Sequence, residues 1–351
     1  MFYAKHVSFM DKVAPIVTIA MPVKNRGWCI EEVLKSVKNQ EYPKNRLQLV
    51  FVDGFSSDGT YEKVLKWVDE HGSIYADVLV LRDEGNIPRA RNICLKQFKG
   101  HYMLWWDSDV LVPSNGIVRL LEHFMHEKVG IAGLPYDVDK PHLFDRVYRA
   151  REPENAGPVE AVGMGFTIVK DSVVKAVGSF NEKLWGNEDT EYCLRARKFG
   201  YTVILDPTVR CRHLRPEAFL TTRSYSEKRG RFNFFGFLRY NFTKAPEYVL
   251  EFVGSGSKRH FAKIGYYLAL PLLLIMGIAL LVLTDSPWIL LAALLYSGLS
   301  VGYHIRKTHG IFYGLVASAI FVPAGVALAY GALRMRLSKL IKSHAESDPY
   351  R

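Results

Sequence analysis

The chain has 351 residues, enough for one domain with a full core and a further segment, and carries a formal net charge of +11. That charge is uneven: residues 1–209 hold 27 Lys+Arg against 28 Asp+Glu, and residues 210–351 hold 19 against 7. The basic half is interleaved with long apolar runs, so its expected partner is a membrane with anionic headgroups and not nucleic acid.

Residues 16–23 form a β-rich run that ends in the turn Lys24-Asn25-Arg26-Gly27. Residues 28–39 have helical spacing through Ile30, Val33, Leu34 and Val37. A second apolar strand, 47–52, ends at Asp53-Gly54. Ser57-Asp58-Gly59-Thr60 then opens a helix, with Ser57 or Asp58 as its N-cap. Residues 76–81 read as a third strand and 86–98 as a helix that tolerates Pro88 in its first turn. The apolar and aromatic run 102–106 is the fourth strand, and it stops abruptly at Asp107-Ser108-Asp109.

Strands alternating with helices specify an α/β fold with a mainly parallel, Rossmann-like sheet. The ends of strands one, two and four then share one edge, which is where open α/β sheets bind ligands. That edge gathers Pro22, Val23, Asn25, Asp53, Asp107 and Asp109. Asp-x-Asp after a buried strand suits a divalent cation that takes one or two carboxylates plus phosphate oxygens. Asp53 can accept from a sugar hydroxyl or a base N–H. Arg89 and Arg91 could approach a nucleotide or diphosphate.

Beyond Asp109 the alternation loosens. Residues 115–124 read as a helix and 129–134 as a strand. Residues 137–158, rich in charge and proline, read as a long loop over the site. Residues 159–169 read as one strand holding Gly163-Met164-Gly165, where backbone or ligand can approach closely. A short helix at 171–177 and a second at 187–199 follow; the second carries Glu188, Asp189 and Glu191 in its first turn. Residues 201–205 are the last strand before His213.

From residue 220 the character changes. Arg223, Lys228, Arg229 and Arg231 precede Phe232, Phe234, Phe235, Phe237 and Leu238, a mixture that suits a membrane interface. Residues 264–283 contain no charge and have the length of a membrane span. Further apolar runs cover 288–303 and 311–333. The link 284–287, which carries no Lys or Arg, against the basic loops after 303 and 333, places residues 304–310 on the cytoplasmic side. Two spans obey this rule and three break it, so the count stays open. The expected division is a catalytic domain at 1–215, an interfacial segment at 216–260, transmembrane helices at 261–335 and a basic cytoplasmic tail at 336–351. Residues 1–13 lack the apolar core of a signal peptide, so the catalytic domain is expected on the cytoplasmic side of the cell membrane. Cys29, Cys94, Cys193 and Cys211 have no Cys-x-x-Cys spacing, which argues against a zinc cluster or disulfide framework.

Taken in order, the motifs Ile19-Ala20-Met21-Pro22-Val23-Lys24-Asn25, Val52-Asp53-Gly54-Phe55-Ser56-Ser57-Asp58-Gly59-Thr60, Ala90-Arg91-Asn92, Trp106-Asp107-Ser108-Asp109 and Gly186-Asn187-Glu188-Asp189-Thr190-Glu191 make the chain resemble the family 2 glycosyltransferases with the GT-A fold. The resemblance covers about residues 15–215. It implies inverting transfer from a nucleotide-diphosphate sugar with a divalent metal, Mg²⁺ or Mn²⁺. It further implies Asp53 at the base, Asp107 near the ribose or metal, Asp109 on the metal and Asp189 as catalytic base, with Glu188 as the rival. His213 stands where some relatives place a metal-ligand histidine. The membrane tail resembles that of members acting on a lipid phosphate or lipid-linked glycan. Lys24 stands where a tyrosine is usual, Gly54 where a second acid is common, and no Gln-x-x-Arg-Trp occurs near 215–240. The alternatives from other classes are a sugar nucleotidyltransferase and a catalytically inactive membrane scaffold.

Overall fold

A computed structural model describes residues 14–139, 145–146, 149–150, 152–184, 188–214, 227–228, 231–232 and 288–308. Four parallel strands form half of the main sheet: β1 (Val17–Val23), β2 (Leu47–Asp53), β3 (Asp77–Arg82) and β4 (Tyr102–Trp106). Four more complete it: β6 (Val129–Gly133), β8 (Gly157–Val159), β9 (Phe166–Lys170) and β10 (Thr202–Leu205), in the order β3-β2-β1-β4-β9-β6-β10-β8. β9 runs antiparallel to both neighbours, β4 and β6, and β8 runs antiparallel to β10.

The central strands are nearly continuous apolar runs because both faces are covered. Side chains alternate between faces. Ile19, Met21, Leu49, Phe51, Leu104 and Trp106 pack in a layer with Ile30, Val33, Leu34 and Val37 of α1 (Ile30–Lys38). Ala20, Val50, Val52, Met103 and Trp105 pack with Cys94 of α3 (Ile87–Lys96), with Val173 and Val177 of α5 (Asp171–Val177) and with Tyr192, Cys193 and Ala196 of α6 (Glu188–Lys198). Between α1 and α3 in the chain lies α2 (Thr60–His71); α4 (Gly116–Glu122) follows β4.

Several expectations need correction. Residues 159–169 are not one strand: residues 160–165, with Gly163-Met164-Gly165, form a loop between β8 and β9. The segment read as a loop from residue 137 begins inside a strand, β7 (Tyr136–Val138). It joins β5 (Val110–Leu111) and β11 (Cys211–His213) in a small sheet of order β5-β11-β7. Two- and three-residue strands carry too little periodicity to show in sequence. The N-cap of α2 is Gly59, at φ 83°, and not Ser57 or Asp58. Asp58 instead accepts from the Gly27 and Thr60 backbone N–H groups.

Residues 140–152 and 217–351 form a second compact unit, described only in pieces. A two-stranded antiparallel pair, β12 (Glu227–Lys228) with β13 (Arg231–Phe232), lies in the basic aromatic segment. The apolar run 288–303 falls in α7 (Trp288–Thr308). Among the described residues no helix is long and apolar enough to cross a membrane. The runs 264–283 and 311–333 and the basic tail lie outside the described residues, as do residues 1–13.

Asn92 ties α3 to the segment that leads into α6. Its amide donates to the Phe180 carbonyl at 3.0 Å and accepts from the Phe180 N–H at 2.7 Å, all buried. Asn92→Ala orphans that N–H, so it should cost about 1–3 kcal/mol, read as a lower midpoint in urea unfolding followed by tryptophan fluorescence.

Candidate active site

The parallel register sets the site. Val23 lies beside Asp53, and Ala20 beside Trp105, so Asp53, the β1–α1 turn and Asp107-Ser108-Asp109 share one edge. The turn is pinned from the opposite loop. Asn25 sits at φ 51°, donates its N–H to Ser56 and accepts from the Ser57 N–H on its side chain. A Cβ at Gly27 would meet the Asp58 carbonyl at 2.4 Å, so only glycine lets the two loops approach. Lys24 and Gly54, the two departures from the family pattern, pack on each other. A Cβ at Gly54 would lie 2.9 Å from Cδ of Lys24.

Asp53 is 1% exposed, and its Oδ2 accepts from the Ser56 N–H and from Arg82 Nε, both at 3.1 Å. Its Oδ1 is buried without a hydrogen-bond partner. The Arg82 guanidinium lies 4.5 Å from the Phe55 ring centroid and 4.2 Å from that of Tyr61. Phe55 holds φ 56°, costly for a bulky residue, and its ring is exposed.

Asp107 and Asp109 leave β4 in a turn in which the Val110 N–H donates to the Asp107 carbonyl. Burial pushes the Asp107 carboxyl up to about 6; Arg91 opposes the rise and Asp109 adds to it. The group is crowded by protein yet 43% of its side chain is exposed, so it opens onto the cleft. Asp109 goes the other way. Burial alone would raise it, but His213 and Arg26 more than offset that and hold it below the usual carboxylate range. His213 Nε2 is 3.2 Å from Asp109 Oδ1, and Arg26 Nε and Nη2 are 3.1 and 3.0 Å from Oδ2. The small sheet brings His213 there: His213 pairs with Val110, the residue after Asp109, and with Val138.

Arg91, expected on a nucleotide or diphosphate, is buried and donates to Glu188, with Asp107 Oδ1 3.6 Å away. Arg89 is exposed and pairs with Asp83. Glu188, the rival base, is therefore engaged with Arg91. Asp189 is half-buried, and its Oδ1 accepts from the Thr190 N–H at 2.7 Å. Burial and the neighbouring Glu188 push its carboxyl up, with Arg91 opposing. Residues 185–187 lie outside the described residues.

The Gly163–Gly165 loop passes between the two acidic centres. A Cβ at Gly163 would lie 3.6 Å from Asp189 Oδ2, and one at Gly165 3.5 Å from Asp107 Oδ2. Pro22 is half-buried on β1, and Val23 is buried with its carbonyl accepting from the Gly54 N–H. Three further residues join the site without having been singled out: Arg26, Arg82 and Tyr136. Tyr136 sits edge-on to His213 at 4.9 Å and would be 3.2 Å from a Cβ at Gly165. Their sequence signal is weak because each meets a partner far along the chain.

Residues 18–174 match glycosyl transferase family 2. They form a family 2 glycosyltransferase domain. The chain is 22% identical over 229 residues to glycosyltransferase AglE of Haloferax volcanii, covering 63% of this chain and 75% of that one. It is 31% identical over 106 residues to a poly(ribitol-phosphate) beta-glucosyltransferase of Bacillus spizizenii, but that match covers only 16% of the relative. In fold it is similar to the mannosyltransferase PcManGT from Pyrobaculum calidifontis, solved with GDP-Man and Mn²⁺. That TM-score is 0.56 at 18% identity, over 95% of this chain and 93% of the other. The transferase domain thus has the α/β GT-A fold.

The buried Arg91–Glu188 pair makes a sharp stability test. Arg91→Met leaves Glu188 charged and unpaired, and should cost the transferase domain about 3–5 kcal/mol. Adding Glu188→Gln should recover part of that loss in a double-mutant cycle of urea unfolding.

Proposed function

We propose that the protein transfers a sugar, with inversion, from a nucleoside-diphosphate sugar to a membrane-held acceptor, either a lipid phosphate or a lipid-linked glycan. One observation carries this reading. Asp107 and Asp189 flank one glycine loop and both are pushed up, while Asp109, two residues from Asp107, is held below the usual carboxylate range. Titratable groups split in this way mark a division between charge stabilisation and acid–base work.

The Asp109 side suits the donor. Asp109 and His213 offer an oxygen and a ring nitrogen, and Asp107 a further carboxylate. Among the described residues no group of three or more His, Cys, Asp or Glu side chains is arranged to hold a metal ion by itself, so any ion here would need substrate oxygens and water to complete its shell. An open set fits Mg²⁺ or Mn²⁺, which keep water and phosphate oxygens in their shell. Bound there, the ion would supply neutralisation of charge on the departing diphosphate. Asp53 Oδ1, buried and unpartnered, is the acceptor for a nucleobase N–H.

The Asp189 side suits the acceptor. A hydroxyl is a weak nucleophile until its proton is taken, and inversion needs attack from the face opposite the diphosphate. Asp189 takes that proton; Glu188, held by Arg91, keeps the first turn of α6 in place.

The basic aromatic segment and the apolar runs after residue 220 support a membrane seat, with the transferase domain on the cytoplasmic side. Leu291, Leu295, Leu299 and Tyr303 add to this: they are exposed and four residues apart along α7. The proposed division remains 1–215 for catalysis, 216–260 at the interface and 261–335 in the membrane.

The test is full-length protein in detergent with a panel of nucleotide sugars, Mn²⁺ and lipid extract. Nucleoside diphosphate release and glycosylated lipid are read by mass spectrometry. Asp109→Ala should abolish turnover; full activity of that variant in EDTA would remove the metal role. No turnover with any donor would favour a non-catalytic scaffold.

Asp189→Asn should lose about 10²–10⁴ in kcat while still binding nucleotide. The base must be ionised, and its pKa is raised, so activity should fall with acid at a pH above the ordinary carboxylate range. Asp189→Asn should erase that limb. A phosphate acceptor is already ionised and needs no base, so a mild effect of Asp189→Asn would identify a lipid phosphate.

A further inference from the structure

Both oxygens of Asp109 are engaged. Oδ1 faces His213, and Oδ2 takes Nε and Nη2 of Arg26. The third nitrogen of that guanidinium, Nη1, donates to the Lys24 and Asn25 carbonyls at 3.0 and 3.3 Å. The Arg26 backbone N–H is fixed on Thr60 Oγ1 at 2.7 Å. A guanidinium thus lies over the donor carboxylate, on a turn locked from three sides. Arg26 is 34% exposed in its side chain and Asp109 13%.

The two partners of Asp109 differ in kind. A neutral imidazole has a lone pair and can share a cation with the carboxylate. A guanidinium is always charged at neutral pH, has no lone pair and cannot. A divalent ion reaching Oδ2 must therefore expel Arg26, whereas His213 can stay. When the ion arrives alone, the displaced guanidinium is left without an anionic partner. When it arrives with a diphosphate, the expelled guanidinium meets phosphate oxygens that match its fork. Its Nη1 contacts to the turn keep it within the cleft.

Resting on the metal and nucleotide reading above, we propose that Arg26 is the resting counter-ion of Asp109. It occupies one carboxylate oxygen in the donor-free protein and yields it only when a nucleoside diphosphate and a divalent ion arrive together, then turning onto the diphosphate. Arg26 is a positioning residue that makes cation and nucleotide binding cooperative, and by linkage each tightens the other by the same factor.

The experiment follows protein-dependent loss of the free Mn²⁺ electron paramagnetic resonance signal, with full-length protein in detergent, alone and with UDP or GDP. Wild type should bind Mn²⁺ weakly alone and more tightly with at least one nucleotide. Arg26→Met should tighten nucleotide-free Mn²⁺ binding by about 5-fold or more and shrink the gain from nucleotide correspondingly. Arg26→Lys, which keeps a charge but not the fork, should fall between. A merely structural role predicts a changed Tm and no gain in nucleotide-free affinity. Unchanged or weaker nucleotide-free binding in Arg26→Met at a wild-type Tm would overturn the proposal. Should Arg26→Met fail to fold, Arg26→Lys with wild-type Mn²⁺ affinity overturns it instead. Wild type that binds no Mn²⁺ even with UDP and GDP would remove the metal reading, and this proposal with it.

Discussion

The buried guanidinium of Arg91 is the constraint on which the site depends. It comes from α3, donates to Glu188 at the start of α6 and lies against Asp107 at the end of β4. The Trp105 and Phe180 rings flank it at 5.9 and 5.6 Å. A charge this deep is tolerable only with ionised partners on good geometry. Arg91 therefore links Asp107 to the helix that carries Asp189. Moving α3 or α6 would break the buried Arg91–Glu188 pair, so the position of α6 relative to α3 is held by electrostatics as well as by packing.

How much of this could be read from the chain depends on the range of the interaction. Strands β1, β2 and β4 were legible because burial on both faces makes them continuous apolar runs. Asp53, Asp107 and Asp109 were legible because they end those runs. The N-terminus of α3 was legible too: Asn86 caps it by accepting from the Arg89 N–H, with Pro88 in the first turn. The small sheet β5-β11-β7 was not, since each strand has two or three residues and their partners lie far along the chain. Yet that sheet alone sets His213 against Asp109. Arg26 looked like an ordinary turn residue, because its meaning lies 83 residues away. The buried partner of Arg91 was hidden for the same reason: the glutamate it meets lies 97 residues later.

The departures from the family pattern become intelligible in space. Lys24 replaces a usual tyrosine and Gly54 a common acid, and singly each looks like erosion. Together they form one contact, because the stem of Lys24 fills the room a Gly54 side chain would need. Long cationic side chains cover apolar or backbone surface with their methylenes and keep the charge outside. The Lys24 stem therefore occupies the room beside Gly54, and its ammonium adds a positive charge at the edge where a diphosphate is proposed to sit.

Strain follows the same geography. Among the described residues the non-glycine positions with positive φ are Asn25 and Phe55, one in each of the two facing loops. Asn tolerates that region; Phe does not, and such conformations persist only where the surroundings over-determine them. Around Phe55 the determinants are visible: the Ser56 N–H is held by Asp53, and the ring rests on Arg82, itself bound to Asp53. One buried carboxylate thus anchors both the strained backbone and the cation beneath the ring. Its second oxygen is left without a partner, a cost of a few kcal/mol for a charged group that the fold does not remove by itself. A nucleobase N–H reaching that oxygen would satisfy it. The strain at Phe55 and the orphan oxygen of Asp53 are thus tied to one carboxylate, which holds the Ser56 N–H and Arg82 through Oδ2 and leaves Oδ1 unpaired.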